Sequence, residues 1–357
     1  MRRFIVGGLV AVVGAAFIIL TLTQNLFRVG TDFEELTTDF RPVMQDESIQ
    51  GYQAGIEGLA AAGEEFQTQL VPALSLALQM SPEQLQAFMA DQYPATAQGM
   101  AALPQLTTEF GGLVTMLDQQ QSNFESADAI PTSNVVAQTV PWGFFVFGLA
   151  ALGLGIWAIA GHVKFTSTAA LVLGVVVIVA TFAMAMPSKA SDADDLNAAL
   201  KPVYTTETVQ QAQGGLAVLG AMGNEMSTSM LPGLAEAMQL TPDQLNAFLE
   251  NSFPATAQAL ATMPEALASF DEMATVFDQN LENYDTIKPV DMSNLVWALI
   301  GGSLLLALAG TFGLFGRGDA LEPHVEHEHD SGQGEELRFD AGLEESPDVS
   351  TKDLVSV

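Results

Sequence analysis

The side chains best suited to chemistry lie near the C-terminus, where His324, His327 and His329 alternate with Glu326, Glu328 and Asp330. Imidazoles mixed with carboxylates suit zinc, nickel or copper. The spacing is loose, however, and the surrounding segment 317–357 is acidic with no helical apolar face, which predicts a disordered tail. Solvated tail is the plainer reading of these histidines. Two carboxylate groups, Asp32 with Glu34 and Glu35 and Asp192 with Asp194 and Asp195, offer oxygens to calcium. Neither has EF-hand spacing or a turn glycine. Near helix starts they serve better as solvated charge and helix-dipole partners.

Catalysis has little else to work with. There is no cysteine, which removes thiolate nucleophiles, thiolate metal sites and disulfides. The fourth histidine, His162, falls in a short connection, so segments 23–139 and 187–292 contain none. The usual general bases and nucleophile pairs are therefore missing there. No P-loop, dinucleotide fingerprint or nucleophile elbow occurs. No cofactor is expected, and on the enzymatic side only a carboxylate-only hydrolase remains.

The strongest pattern is a recurrence. Residues 81–104, SPEQLQAFMADQYPATAQGMAALP, return as TPDQLNAFLENSFPATAQALATMP at 241–264, an offset of 160 positions. The same offset pairs Asp32 with Asp192, Pro42 with Pro202, Pro72 with Pro232, Phe110 with Phe270 and Asn123 with Asn283. A duplicated unit is the natural reading. Within each copy, Ser81 or Thr241 is an N-cap candidate, with proline at the first helical position and Gln84 or Gln244 placed for a capping box. Tyr93-Pro94 and Phe253-Pro254 should end that helix, because the residue before proline is pushed out of the α region. A second, short helix is expected to follow.

These corners have two readings. As a core element, each buries Leu85, Phe88 and Met89, or Leu245, Phe248 and Leu249, on one face. As a docking surface, Tyr93, Pro94 and Gln98, with Phe253, Pro254 and Gln258, would contact a partner. The two combine into one expectation: Phe88 and Phe248 are core, whereas Tyr93, whose hydroxyl wants water or a partner, is partly exposed.

Composition supplies the frame that positions them. Hydrophobic residues make up 49% of the 357, yet the net charge is −31. Four uncharged runs hold the apolar excess, at Phe4–Leu22, Trp142–Ala160, Thr166–Met186 and Leu295–Phe315. Each approaches the roughly 20 residues that cross a bilayer as a helix. None contains an ionisable side chain, which argues against ion or proton transport. Small residues recur at four-residue spacing in Gly7, Ala11 and Ala15, in Ala170 and Gly174, and in Ser303, Ala307 and Thr311, as close helix packing requires. Arg2, Arg3, Lys164 and Arg317 border the same ends of the runs and place both termini in the cytoplasm. Between the runs, proline-punctuated, alanine- and glutamine-rich segments read as helical bundles. Met222, Met226 and Met230, at four-residue spacing, read as core filler.

The expected molecule is an all-α membrane protein with four transmembrane helices and two homologous extracytoplasmic bundles. Its parts are span 1 (1–22), the first ectodomain (23–139), span 2 (140–161), a cytoplasmic connection (162–165), span 3 (166–186), the second ectodomain (187–292), span 4 (293–316) and the tail (317–357). As parallel repeats the two units would form a pseudo-dimer. Each ectodomain carries 15 acidic residues against two or three basic ones, which excludes a nucleic-acid footprint. The function expected is non-enzymatic: docking of another envelope protein or component at the plasma membrane. The alternative is a sensor or carrier for an apolar or lipid ligand held between helices.

Overall fold

The computed structural model describes residues 2–77, 79–132 and 135–315. The proposed metal ligands His324, His327 and His329 thus lie outside the described residues. Among the described residues there are fifteen α-helices and no strand. In chain order they are α1 (Arg2–Thr23), α2 (Leu26–Phe40), α3 (Asp46–Glu65), α4 (Val71–Ala77), α5 (Pro82–Gln92), α6 (Pro94–Asp128), α7 (Val140–Ile159), α8 (Val163–Ala183), α9 (Met186–Leu200), α10 (Thr206–Glu225), α11 (Leu231–Ala237), α12 (Pro242–Ser252), α13 (Pro254–Gln279), α14 (Leu281–Ile287) and α15 (Met292–Phe315). A π-turn joins α3 to α4 at Phe66–Leu70, and another joins α10 to α11 at Met226–Met230. Pro72 and Pro232 account for both. Neither has an N–H for the carbonyl four residues back, and a wider turn moves the ring clear of that carbonyl.

Four helices, α1, α7, α8 and α15, are long and apolar enough to cross a membrane. α1 packs along α7 and α8 along α15; α1 also meets α15, and α7 meets α8, which closes a four-helix ring. Helices surrounded by apolar solvent gain little from burial against each other, so their association rests on close backbone approach. Here a Cβ on Gly155 would collide with the Ala11 backbone, and Gly14 faces Gly148 and Leu152 just as tightly. In the second pair Gly174 lies against Ser303 and Ala307. Phe17 fills the interior against Phe144 and Phe147, at 5.9 and 5.0 Å. Outward faces carry exposed Val12, Ile19, Phe165, Val176 and Leu308, together with all three tryptophans. Arg2 donates to the carbonyls of Phe312 and Gly313 at the end of α15, a cation at a helix C-terminus.

The stretch after the first span is helical, but α1 does not run straight into it. Asn25 at φ 49° separates α1 from α2, and Ala185 at φ 53° separates α8 from α9. Asparagine tolerates this left-handed conformation, whereas for alanine it costs roughly 1–2 kcal/mol. Ala185→Gly is therefore expected to raise stability by up to about 1 kcal/mol, after glycine's larger unfolded-state entropy is subtracted. The thermal midpoint of the purified variant checks this, and a lower midpoint would contradict it.

Beyond the apolar ring the remaining helices form a tower. α3 packs most extensively on α13, and α10 on α6. Each outgoing helix thus lies chiefly against the returning helix of the other half. One hydrophobic interior follows, running from Phe33 and Phe40 through Phe110 and Leu117 to Leu216, Phe270 and Tyr284. Phe270 meets both Tyr52 and Phe110 at 5.4 Å. Segments 23–139 and 187–292 are separable in sequence and inseparable in packing. The picture of two bundles standing side by side gives way to one interleaved bundle. Met222, Met226 and Met230 are buried in the tower as core filler.

Candidate interaction surface

α3 runs away from the apolar ring and α6 returns to it, so α4, α5 and the start of α6 lie at the tower's far end. α11, α12 and the start of α13 do the same for the second half. The helix α6 has 35 residues, and such a helix spans about 52 Å. The corners form for reasons visible in their residues. Ser81 and Thr241 each accept from the N–H of Gln84 and Gln244 at 3.3 Å, and each glutamine oxygen accepts from the cap N–H, at 2.8 and 2.9 Å. This is a capping box at both places. Tyr93 and Phe253 then leave helical geometry at φ −134° and −141°. The helices begun by Pro94 and Pro254 are not short: they run for 35 and 26 residues, through Pro104 and Pro264. Their apolar faces are buried along the shared interior, and that burial outweighs the penalty of one interior proline.

Burial at the corners differs from the sequence expectation at the phenylalanines. Phe88 and Phe248 are each 36% exposed. The inward positions are taken by Leu85, Met89, Leu245 and Leu249. The two rings stand on the rim, edge-on to Tyr93 and Phe253 at 6.0 and 5.7 Å. Tyr93 is half-buried, and its hydroxyl reaches toward Gly233, where a Cβ would lie 2.6 Å from it. Phe253, with no hydroxyl to keep wet, is buried. Pro94, Gln98, Pro254 and Gln258 are exposed. Both corners feed one small apolar cluster, in which Phe66, Leu74 and Leu85 of the first half meet Leu249 and Phe253 of the second. Beside the first corner a cleft of about 560 Å³ is lined by Phe66, Val71, Leu85, Met89 and Met100.

Two residues outside the recurring 24-residue stretch hold these corners in place. The Thr96 N–H, in the first turn of α6, donates to Glu225 Oε2 at 2.6 Å, and the Thr256 N–H, in the first turn of α13, donates to Glu65 Oε2 at 2.7 Å. Each half therefore caps the other's helix, with a carboxylate where a helix N-terminus favours negative charge. Burial pushes the Glu225 carboxyl up, but the N–H groups of Thr96 and Ala95 more than reverse this and leave it below its usual range. The Thr96 hydroxyl adds to that effect at a geometry too poor for a full hydrogen bond. The pairs are 191 and 129 residues apart, so no local pattern announces them. One signal was available: an acidic residue recurs at the same place in both copies, next to buried apolar positions.

No family model, curated protein or solved structure matches this chain. Its own geometry carries the reading.

Two of the six carboxylates singled out near the apolar runs, Glu34 and Asp194, are likewise committed to backbone. Glu34 Oε2 accepts from the Ala137 N–H at 2.6 Å, just ahead of α7. Asp194 accepts from the N–H groups of Met292 and Ser293, at 2.8 and 2.9 Å, at the start of α15. Asp32 pairs with Arg28, which also reaches Glu282. Glu34 and Asp194 thus play the dipole role expected of these acids toward the start of the returning helices, not toward their own. Among the described residues no group of three or more His, Asp or Glu is placed to hold a metal ion.

Proposed function

We propose that this chain is a non-enzymatic, multi-pass protein of the cell membrane, with both termini cytoplasmic. Its duplicated extracytoplasmic unit, a pseudo-dimer about the membrane normal, docks another envelope protein or component. The observation that carries this is the far end of the tower. There, α6 and α13, capped reciprocally by Glu225 and Glu65, fix the corners from which α5 and α12 present Phe88 and Phe248 at the rim. Exposed aromatic rings beside a cleft, on a stiff frame, suit recognition of a partner. The reading of both termini on one side is supported by Arg2, which donates to the Phe312 carbonyl near the end of α15, and the cytoplasmic assignment by the tendency of basic residues at span ends to lie on that face. The acidic tower would be repelled by nucleic acid and by anionic lipid surfaces.

The double variant Phe88→Ser, Phe248→Ser is expected to fold, at a cost of about 1–3 kcal/mol per site, since both rings lie at the rim yet are only 36% exposed. Crosslinking in intact cells should return a specific partner for the parent protein and lose it in this variant. A partner retained by the variant would remove these corners from the interface. A parent protein that crosslinks to nothing would overturn the docking role.

A further inference from the structure

The four apolar helices part at the end that faces the tower. The left-handed breaks at Asn25 and Ala185 fall there, and α2 and α9 depart from them. Between the pieces lies a half-enclosed cavity of about 70 Å³. Its wall includes Leu26 and Phe33 of α2, Phe144 of α7, Met186 of α9, and Met292 and Val296 of α15. The one hydroxyl among the lining side chains, Thr181, already donates to the Val177 carbonyl at 2.7 Å. Space of about 10–15 Å³ holds one water-sized group, but each water needs two to four polar partners. This wall has room for several such groups and offers them no free side-chain partner. An apolar occupant fits, and the flexible Leu and Met side chains adapt to it.

Depth in the molecule selects the occupant. Phe144, Thr181 and Leu299 belong to helices long enough to span a bilayer, and the cavity lies where the tower ends of those helices meet α2 and α9, within reach of a lipid's acyl chain. We infer that it binds a few carbons of an acyl chain, inserted between the two halves where α2 and α9 leave the spans. Leu26 and Met186, which stand 160 positions apart, line it from opposite halves. An occupant there would brace the tower on its anchor. The inference rests on reading α1, α7, α8 and α15 as membrane spans.

The test uses the full chain in phosphatidylcholine vesicles containing a phosphatidylcholine with a diazirine on its acyl chain. Irradiation and peptide mass mapping are expected to place adducts on Phe144, Met292 and Val296, and also on the outward-facing Val172 and Val176 of α8. Filling the cavity with Ala190→Leu, or from the opposite wall with Val296→Phe, should reduce the cavity adducts at least tenfold and spare those on Val172 and Val176. The second variant guards against a folding failure of the first. A diazirine fatty acid used in place of the phospholipid identifies the source: labelling by the phospholipid alone means a membrane lipid, by the acid alone a free fatty acid. Adducts confined to Val172 and Val176 overturn the inference and leave the spans standing. Adducts nowhere on these helices overturn both. Undiminished cavity labelling in both filled variants also overturns it.

Discussion

Phe270→Ala should lower the unfolding free energy by about 3–5 kcal/mol, the usual cost of truncating a buried phenylalanine. The ring is 3% exposed and meets Tyr52 and Phe110 of the first half at 5.4 Å. A Cβ on Gly55 would lie 3.3 Å from its edge, so α3 approaches closely enough to leave no slack. The loss should therefore spread into α3 and α6, far away in sequence. Native-state hydrogen exchange reads this, because a shared interior loses protection on both sides of the interface. Loss confined to α10 through α14 would show that the halves are held independently.

Glu65→Ala should carry the second large effect, at the far end. Glu65 is 8% exposed and accepts from the Thr256 N–H. Removing it leaves that donor buried without a partner, at a cost of about 1–3 kcal/mol. The start of α13 should fray, and with it the placement of Phe253 and Phe248. Glu225→Ala should loosen α6 in the same direction. The pH dependence follows from Glu225, whose carboxyl lies below its usual range of about 4.5 in the folded chain. The unfolded chain then binds the proton more readily, so stability rises with pH up to the unfolded value. The contribution is present above about pH 4.5 and is lost as pH falls through the lower folded value. Exchange of the amides at 95–98, followed from pH 7 downward, measures it, and exchange at 255–258 at constant pH reads the loss of the cap in Glu65→Ala. Glu225→Gln should flatten the acid limb at 95–98. Unchanged exchange in Glu65→Ala would show that the cap contributes nothing.

What this sequence determined by itself is everything that depends on near neighbours. Four uncharged apolar runs sufficed for the four long apolar helices, give or take a turn at each end, because hydropathy acts residue by residue. Ser81 and Thr241, with proline next and glutamine third, specified both capping boxes within four residues. Tyr93-Pro94 and Phe253-Pro254 specified the breaks, because proline restricts only the residue before it. Methionines at four-residue spacing were legible as core, and the recurrence at 160 positions was legible as text. The tertiary structure decided what meets what. In a chain whose halves repeat the same pattern of apolar positions, caps and prolines, a helix finds chemically similar partners in its own half and in the other. Local pattern cannot choose between them, and only the packing of the whole interior set α3 against α13 and α10 against α6. The same choice brought Glu65 to Thr256 and Glu225 to Thr96. It gave the inward positions to Leu85 and Leu245 and left Phe88 and Phe248 on the rim. It also opened the cavity beneath α2 and α9, since a void belongs to no single stretch of chain and exists only where several elements fail to fill the space between them.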